Sequence, residues 1–367
     1  MKICILSMQK VNNYGSVLQA YSLKKMAETF GHQVEFIDIK RGEDENLNAQ
    51  CEKLSLCNKN TLNTNKSWLA RQTLRVINKL SNLPTERMYN KFRLNELGIT
   101  RKTNNTIYDV CIIGSDEVFN CLQISKWGFA PQLFGDVKVA KKVITFAASC
   151  GSTREENLSQ ELRKAIIIAM SNLNAISVRD ENTGKFVQKL TGKKYTLNLD
   201  PVVTGDFSEE VKDIDLKGKL PKKYCIVYSY KERISDQKLI DAIQDYCRKN
   251  GLELVTPFGK QTWIKKTKPL TPFELLKAFE NAECIITDTF HGTIFGAKFA
   301  KRMAVIIRES NRNKLEDLVN RLEIQDHVLE KVEDLKVIMN IELDRERINR
   351  VIKDARRNTF KYLEENL

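Results

Sequence analysis

Histidine is scarce in this sequence, which has only His32, His291 and His327 among 367 residues. No cysteine–histidine pair has the spacing of zinc ligands, so we expect no metal site. No apolar run approaches the roughly 18 residues that span a bilayer, and the N-terminus lacks the pattern of a signal peptide. The nine cysteines are an odd number, and several lie within apolar runs. This favours buried free thiols over a disulfide framework and predicts a cytoplasmic protein.

The remaining composition is that of a globular protein, with 42% hydrophobic and 29% charged residues. The length predicts two domains. The formal net charge is +13, and it is unevenly distributed. Residues 51–102 contain 11 basic and 3 acidic residues, a net charge of +8. Such a surface attracts an acidic partner, which leaves nucleic acid, anionic lipid and phosphorylated small molecules as alternatives.

Short apolar runs alternate with amphipathic stretches along the chain, which predicts an α/β protein with two Rossmann-like domains. The first predicted domain is 1–210, with a basic insertion at about 41–105, and the second is 211–340. The pattern of residues 341–367 predicts one charged helix. At the end of the chain, this helix could pack back onto the first domain. We expect the two domains to face each other across a cleft. Ligands of open α/β sheets bind at the carboxyl ends of the strands, so we examined the motifs there.

The first such motif follows the predicted strand at Lys2–Met8. It comprises Asn13, Tyr14, Gly15 and Ser16. Asparagine and glycine suit a turn, and Ser16 is predicted to be the N-cap of the next helix. The backbone N–H groups at this helix start could bind an anion. The alternative is a βα turn with no ligand.

Two further candidates follow other strands of the first domain. Gly114, Ser115 and Asp116 end a buried strand, where glycine permits close approach of a ligand and the aspartate is either an acid–base group or a helix cap. Arg179 ends another strand, and its guanidinium suits bidentate binding of carboxylate or phosphate. A contact of Arg179 with Asp180, or a solvated arginine, is the alternative.

The clearest motif of the second domain lies in Glu283–Phe299, where a buried strand runs into a helix. The residues at that junction are Asp288, Thr289, Phe290, His291 and Gly292. A histidine at a helix N-terminus suits an anion site and proton transfer. The alternative is a packed or capping histidine.

Basic residues also follow the next predicted strand, Met303–Ile307. Arg308, Arg312 and Lys314 cluster there, either as an anion site or as an ordinary solvated start of a helix.

Taken together, the motifs NNYGSVLQAYSL, IIGSDEVF, ISVRD, LDPVV and TDTFHG resemble the polysaccharide pyruvyl transferase family. Their order and spacing cover most of the chain. The resemblance implies two Rossmann-like domains in a glycosyltransferase-B-like arrangement. It also implies transfer of a pyruvyl group from phosphoenolpyruvate to two sugar hydroxyls as a ketal, with release of phosphate, in surface or exopolysaccharide biosynthesis.

The resemblance also implies roles for individual residues. His291 aligns with the histidine of the family and is our hypothesised acid or phosphate-stabilising cation. Arg179 aligns with an arginine implicated in donor binding. Some members have an arginine where this sequence has Thr289, and Arg312 or Lys314 would then supply that charge. We assign Asp116 the role of base toward the acceptor hydroxyl.

Phosphoenolpyruvate is the expected donor substrate, and no cofactor is expected. The expected acceptor is a nucleotide- or lipid-linked saccharide, approached by the basic insertion at the anionic inner face of a membrane. Nucleic acid is not an expected partner, because the basic stretch lacks interleaved aromatic residues. Two alternatives remain: a nucleotide-sugar glycosyltransferase of the same two-domain fold, and a basic non-catalytic binding protein.

Overall fold

The chain forms two compact units in the computed structural model. The first unit is Met1–Pro201 together with Asn358–Leu367, and the second is Val202–Arg357. The structure describes residues 1–57, 83–99, 106–121, 127–265 and 267–367.

The first unit contains a six-stranded sheet in the order β2-β1-β3-β4-β5-β6, and every pair is parallel. Its strands are β1 Lys2–Leu6, β2 Gln33–Phe36, β3 Tyr108–Asp116, β4 Ala140–Ala148, β5 Ser177–Val178 and β6 Thr196–Leu197. The strand order reverses direction between β1 and β3. In doubly wound sheets this switch point opens a crevice at the carboxyl ends of the two strands.

The apolar strands of this sheet are buried on both faces, as parallel strands require. Successive residues of β1 point to opposite sides, so Ile3 and Ile5 enter one hydrophobic cluster while Cys4 and Leu6 enter another. Tyr362 and Leu363, from the end of the chain, cover the face that contains Ile3 and Ile5. The sheet therefore has helices on both sides.

Among the described residues, the first unit has the helices α1 Tyr14–Glu28, α2 Glu45–Cys57, α3 over 83–95, α4 Gln160–Ser171 and α5 Glu181–Thr191. The N-cap of α1 is Asn13, whose Oδ1 accepts a hydrogen bond from the Gly15 N–H at 2.8 Å. The prediction that Ser16 is the N-cap was therefore wrong. Asparagine caps helices as well as serine does, and Asn13 stands nearer the end of the strand.

The second unit contains a four-stranded parallel sheet in the order β10-β9-β7-β8. Its strands are β7 Tyr224–Tyr228, β8 Glu253–Val255, β9 Cys284–Thr287 and β10 Met303–Val305. Its helices are α6 Pro201–Thr204, which begins at the end of the first unit, α7 Ser208–Val211, α8 Gln237–Lys249, α9 Pro272–Asn281, α10 Phe290–Phe299, α11 Arg312–Arg321, α12 Leu335–Ile338 and α13 Arg345–Asn366, which ends in the first unit. The order of this sheet reverses between β7 and β9, which marks its switch point.

Local sequence explains where these helices begin. Thr271 and Glu274 form a capping box at α9, and Pro272 occupies the first helical position, where its missing N–H costs nothing. Asp236 caps α8. One face of α8 buries Leu239, Ile240 and Ile243, as its amphipathic pattern predicts.

The prediction of an α/β chain with two Rossmann-like domains is confirmed by these two parallel sheets. The first unit ends at Pro201, before the predicted boundary at 210, and the final residues of the C-terminal helix belong to the first unit. Two parts of the basic insertion, 58–82 and 100–105, lie outside the described residues, and its membrane contact stays a prediction. Among the described helices, none combines the length and apolar character needed to cross a membrane. Those cysteines whose side chains the structure describes are free and buried.

Lys298, near the end of α10, ties that helix to the segment that follows the first unit. Its Nζ donates hydrogen bonds to the carbonyls of Val202 at 2.9 Å, Val203 at 3.1 Å and Gly205. The ammonium also lies 5.0 Å from the ring centroid of Phe207. Burial lowers the pKa of Lys298 to about 7, and the carboxylate of Asp206 acts in the opposite direction.

Replacing Lys298 by methionine is expected to destabilise the protein, because three carbonyls lose their donor. The cost should be about 1–3 kcal/mol. Between about pH 7 and 10 the unfolded chain binds a proton that the folded chain does not, so the stability from Lys298 increases with pH. The difference between wild type and Lys298→Met should therefore widen from pH 7 to pH 9 in urea unfolding. The matched control is Lys301→Met, at an exposed position. A difference that stays constant from pH 7 to pH 9 would show instead that Lys298 stays charged in the folded protein.

Candidate functional site

Each sheet has a polar cluster at its switch point. The first-unit cluster consists of Ser16, Ser115, Asp116, Arg179 and Asp200, which lie after β1, at the end of β3 and after β5 and β6. The second-unit cluster consists of Arg233, Asp288, His291 and Arg308, around the carboxyl ends of β7 and β9. Most of the residues predicted from the sequence lie in one of these clusters or beside it.

The turn after β1 connects directly to the end of β3. The hydroxyl of Ser16, in the first turn of α1, donates a hydrogen bond to Oδ2 of Asp116 at 2.7 Å. Tyr14 is buried and packs against Tyr89, with ring centroids 5.4 Å apart. Asn13 and Gly15 form the helix start. The predicted motif is therefore brought together with Asp116, although the two are 100 residues apart in sequence.

Close packing at the end of β3 explains its glycine. A Cβ on Gly114 would lie 2.3 Å from the carbonyl oxygen of Phe146, so no larger residue fits. Ser115 is fully buried, and its hydroxyl donates to the carbonyl of Ala147 at 2.7 Å. Oδ2 of Asp200 lies 3.4 Å from the same hydroxyl. Gly114 and Ser115 thus shape the backbone that carries Asp116.

Asp116 has a φ of 77°, in the left-handed region that few residues other than glycine adopt. Such a conformation costs about 1–3 kcal/mol and persists where surrounding contacts maintain it. Those contacts come from Ser16 and from Arg179, whose Nη1 lies 3.8 Å from Oδ1 of Asp116. Asp116 is partly exposed and caps no helix.

Arg179 is buried between carboxylates rather than exposed at the strand end. Only 2% of the residue is exposed, and its Nη1 lies 3.2 Å from Oδ2 of Asp200. Burial opposes its charge, but Asp200 and Asp116 outweigh that effect and raise the pKa of the guanidinium. Asp180 is instead the N-cap of α5 and accepts from the Thr183 N–H. Arg179 therefore orders the cluster, while its contact with a donor substrate stays a prediction.

The start of α10 is tightly built in the second unit. Thr289 is the N-cap and accepts from the Gly292 N–H at 3.0 Å. A Cβ on Gly292 would lie 2.2 Å from the Thr287 hydroxyl and 2.7 Å from the Tyr228 ring, so only glycine fits. Phe290 is buried, and its ring lies 5.5 Å from that of His291. His291 is in the first turn and only partly buried. It therefore stands among the positive N–H dipoles of the helix start.

Two guanidiniums flank this helix start. Asp288 is fully buried, and its Oδ2 lies 2.6 Å from Nε of Arg308 and 3.7 Å from Nε of Arg233. Asn311 donates to the Asp288 carbonyl at 2.7 Å. The side chains of Arg233 and Arg308 are each 30% exposed, so both reach solvent beside α10. Two cations share one carboxylate, which leaves this cluster net positive.

Arg312 and Lys314 are the residues predicted to supply the positive charge that Thr289 lacks, and both lie on α11. Arg312 lies on the surface of α11, where Glu309 and Glu316 pair with its guanidinium at 2.9 Å each. Lys314 lies further along the same helix and is partly buried. Arg308 and Arg233 are the guanidiniums next to Asp288. The roles predicted for Arg312 and Lys314 in donor binding stay predictions.

The sequence did not indicate Asp200 or Arg233 as members of these clusters. It indicated Arg308 only as one of the basic residues that follow the strand Met303–Ile307. The signal for Asp200 was available, since it belongs to the LDPVV motif. Arg233 lies in the loop after β7, and no local pattern distinguishes it from its basic neighbours. Within the described ranges, no group of three His, Cys, Asp or Glu side chains could hold a metal ion. The second-unit cluster can bind a small anion and offers an imidazole for proton transfer.

Comparison with solved structures returns sugar-nucleotide enzymes and glycosyltransferases. A UDP-GlcNAc 2-epimerase from Methanocaldococcus jannaschii is 13% identical, with 98% of this chain and 100% of that chain covered and a TM-score of 0.49. A glycosyltransferase from Streptomyces nogalater is 12% identical, with 99% and 97% covered and a TM-score of 0.43. The chain matches no curated protein sequence.

A family model gives a more specific result. The model described as polysaccharide pyruvyl transferase matches residues 13–310, a range that begins at the N-cap of α1 and includes both switch-point clusters. The match covers most of the chain and contains the motifs on which the resemblance was based. The protein is therefore a transferase that belongs to the polysaccharide pyruvyl transferase family.

Proposed function

We propose that this protein transfers a pyruvyl group from phosphoenolpyruvate to two hydroxyls of one saccharide, forming a ketal in the biosynthesis of a surface or exopolysaccharide. The observation that carries the proposal is the second-unit cluster of this protein, which belongs to the pyruvyl transferase family. There, two partly exposed guanidiniums pair with Asp288, which directly precedes the cap of α10, and His291 lies in the first turn of that helix. Phosphoenolpyruvate is a small anion with a phosphate and a carboxylate, and both groups suit guanidinium pairing.

The reaction balances without a further reactant. C3 of the enol gains a proton, and a sugar hydroxyl attacks C2. A second hydroxyl of the same sugar then attacks C2 as the bond from C2 to the phosphate oxygen breaks. One hydroxyl proton replaces the proton given to C3, and the other leaves with inorganic phosphate. The reaction needs an acid near the enol and cations near the leaving phosphate.

Residues of the second-unit cluster suit these needs. Arg233 and Arg308 are assigned to the anionic groups of the donor, with the backbone N–H groups of α10 beside them. His291 is assigned to proton delivery, because an imidazole can both donate and regain a proton near neutral pH. Thr289 and Gly292 fix the turn that carries it.

The first-unit cluster supports a separate assignment. Asp116 is proposed as the base toward an acceptor hydroxyl, because it is a partly exposed carboxylate at a switch point in a strained conformation. Ser16 and Arg179 orient it. The acceptor is proposed to be a nucleotide- or lipid-linked saccharide.

The decisive experiment incubates the protein with phosphoenolpyruvate and a panel of saccharides, both free and nucleotide- or lipid-linked. We expect acceptor-dependent release of phosphate and a matching gain of a pyruvyl ketal in the mass of one acceptor. Reactions without acceptor and with boiled protein are the controls.

Two outcomes would contradict the proposal. The first is the absence of acceptor-dependent phosphate release across the panel. The second is release of nucleotide from sugar nucleotides without phosphoenolpyruvate, which would identify a glycosyltransferase instead.

A further inference from the structure

Tyr230 is an exposed aromatic residue beside the switch point of the second sheet. It follows the end of β7 by two residues, and 47% of it is exposed. Large aromatic residues are usually buried because exposure forfeits much of their burial free energy. An exposed ring next to a ligand crevice therefore merits a functional explanation.

The backbone of the loop around Tyr230 is held by hydrogen bonds, although the residue is exposed. Its carbonyl accepts hydrogen bonds from Nε2 of Gln261 at 2.8 Å and from the Arg233 N–H at 3.2 Å. The loop after β8 packs closely against it: a Cβ on Gly259 would lie 2.0 Å from the Ser229 carbonyl oxygen. These contacts hold the backbone that carries the ring.

The ring itself is also oriented by its neighbours. Phe258 packs at 71° to it, with ring centroids 5.2 Å apart. The guanidinium carbon of Arg233 lies 5.1 Å from the Tyr230 centroid. Nearly half of the residue still remains exposed, so area is left for a ligand ring to stack.

Arg233 connects this ring to the anion-binding residues. Its Nε lies 3.7 Å from Asp288, the carboxylate shared with Arg308, one residue before the cap of α10. A ligand that stacks on Tyr230 therefore lies next to a donor bound by the second-unit cluster. A ketal can form only if both sugar hydroxyls lie within bonding distance of C2 of the donor, so the acceptor ring must occupy such an adjacent position.

We propose that Tyr230 is a stacking platform for the pyranose ring of the acceptor saccharide. The apolar C–H face of the sugar lies against the tyrosine ring, and its hydroxyls are directed toward the donor beside Arg233. This inference rests on the proposed function and names the acceptor contact in the second unit.

The kinetic test compares Tyr230→Leu with Tyr230→Phe, using the acceptor found in the saccharide panel. Loss of an aromatic contact is expected to raise the acceptor KM by about 5- to 10-fold. The KM for phosphoenolpyruvate should change less than the acceptor KM, because Tyr230 reaches the donor only through its contact with Arg233. The phenylalanine variant restores the ring and should return the acceptor KM toward the wild-type value. An unchanged acceptor KM in Tyr230→Leu would overturn the platform.

A binding test separates this inference from the proposed function. Saturation-transfer NMR of the full chain uses the methyl glycosides of glucose, galactose, mannose and N-acetylglucosamine, without phosphoenolpyruvate. We expect transfer to at least one glycoside in the wild type and in Tyr230→Phe, and its loss in Tyr230→Leu. Equal transfer in wild type and Tyr230→Leu, or no transfer in the wild type, overturns the platform. Failure of the proposed function appears instead as absent turnover while this binding pattern persists.

Discussion

Replacing His291 by alanine is expected to lower the turnover of pyruvyl transfer by about 10²–10⁴-fold, the usual contribution of one general acid. The reason is chemical, since the enol carbon must gain a proton and His291 is the imidazole at the start of α10. Phosphate release at saturating phosphoenolpyruvate and acceptor measures the loss. His291 is only partly buried, and the cap of α10 is Thr289, so we expect the variant to remain folded.

Two further variants make this result specific. His291→Gln keeps a hydrogen-bond donor but cannot deliver a proton, so it should be as slow as alanine if His291 is the acid. A glutamine variant with a largely intact rate would indicate phosphate stabilisation instead. His32→Ala, in the first unit, is the matched histidine control and should retain wild-type turnover. Turnover of His291→Ala within about threefold of wild type would remove His291 from the mechanism.

Replacing Asp200 by alanine is expected to cost about 3–5 kcal/mol of stability, because it leaves the guanidinium of Arg179 buried without its nearest carboxylate. Only 2% of Arg179 is exposed, so water cannot replace the lost partner. Urea unfolding followed by circular dichroism measures the change in the transition of the first unit. Asp213→Ala, at an exposed position, is the matched control and should change stability by less than about 0.5 kcal/mol.

A double variant tests the stated cause. Removing both charges with Asp200→Ala and Arg179→Met should recover part of the loss, because the second change eliminates the unpaired buried cation. Losses that simply add would mean that Asp200 stabilises the fold by packing alone. The expected coupling would identify Asp200 and Arg179 as one electrostatic unit that orders Asp116.

The strands and helices that carry these residues were predictable because their patterns are local. Helix α9, Pro272–Asn281, is marked in the local sequence, since proline and a capping box lie at its start. The start of α1 was misassigned because Asn13 and Ser16 are both good caps, and only the three-dimensional contact of Ser16 with Asp116 distinguishes them. Local sequence does not contain that contact.

The members of the two clusters were harder to predict for the same reason. Arg312 looked suitable by position, but α11 begins at this residue and brings it within reach of Glu309 and Glu316 on its own segment. Arg233 reaches Asp288 only because β7 and β9 are neighbours in the sheet, although the residues are far apart in sequence. Hydrophobic periodicity predicts which residues lie on the same helix or strand. A contact between distant residues, such as that of Arg233 with Asp288, depends on the order of the strands in the sheet.

The hydrogen bonds at the end of α10 have a consequence for the position of His291. Arg345 donates to the carbonyls of Ala297 and Lys298, while Lys298 itself donates to the segment at Val202–Gly205. The ten-residue helix is roughly 15 Å long, and His291 occupies its opposite end. A helix behaves as a stiff rod, so an altered anchor at Lys298 tilts the imidazole at the far end. A change at Lys298 is therefore expected to shift His291, the residue proposed as the proton donor, although the two lie at opposite ends of the helix.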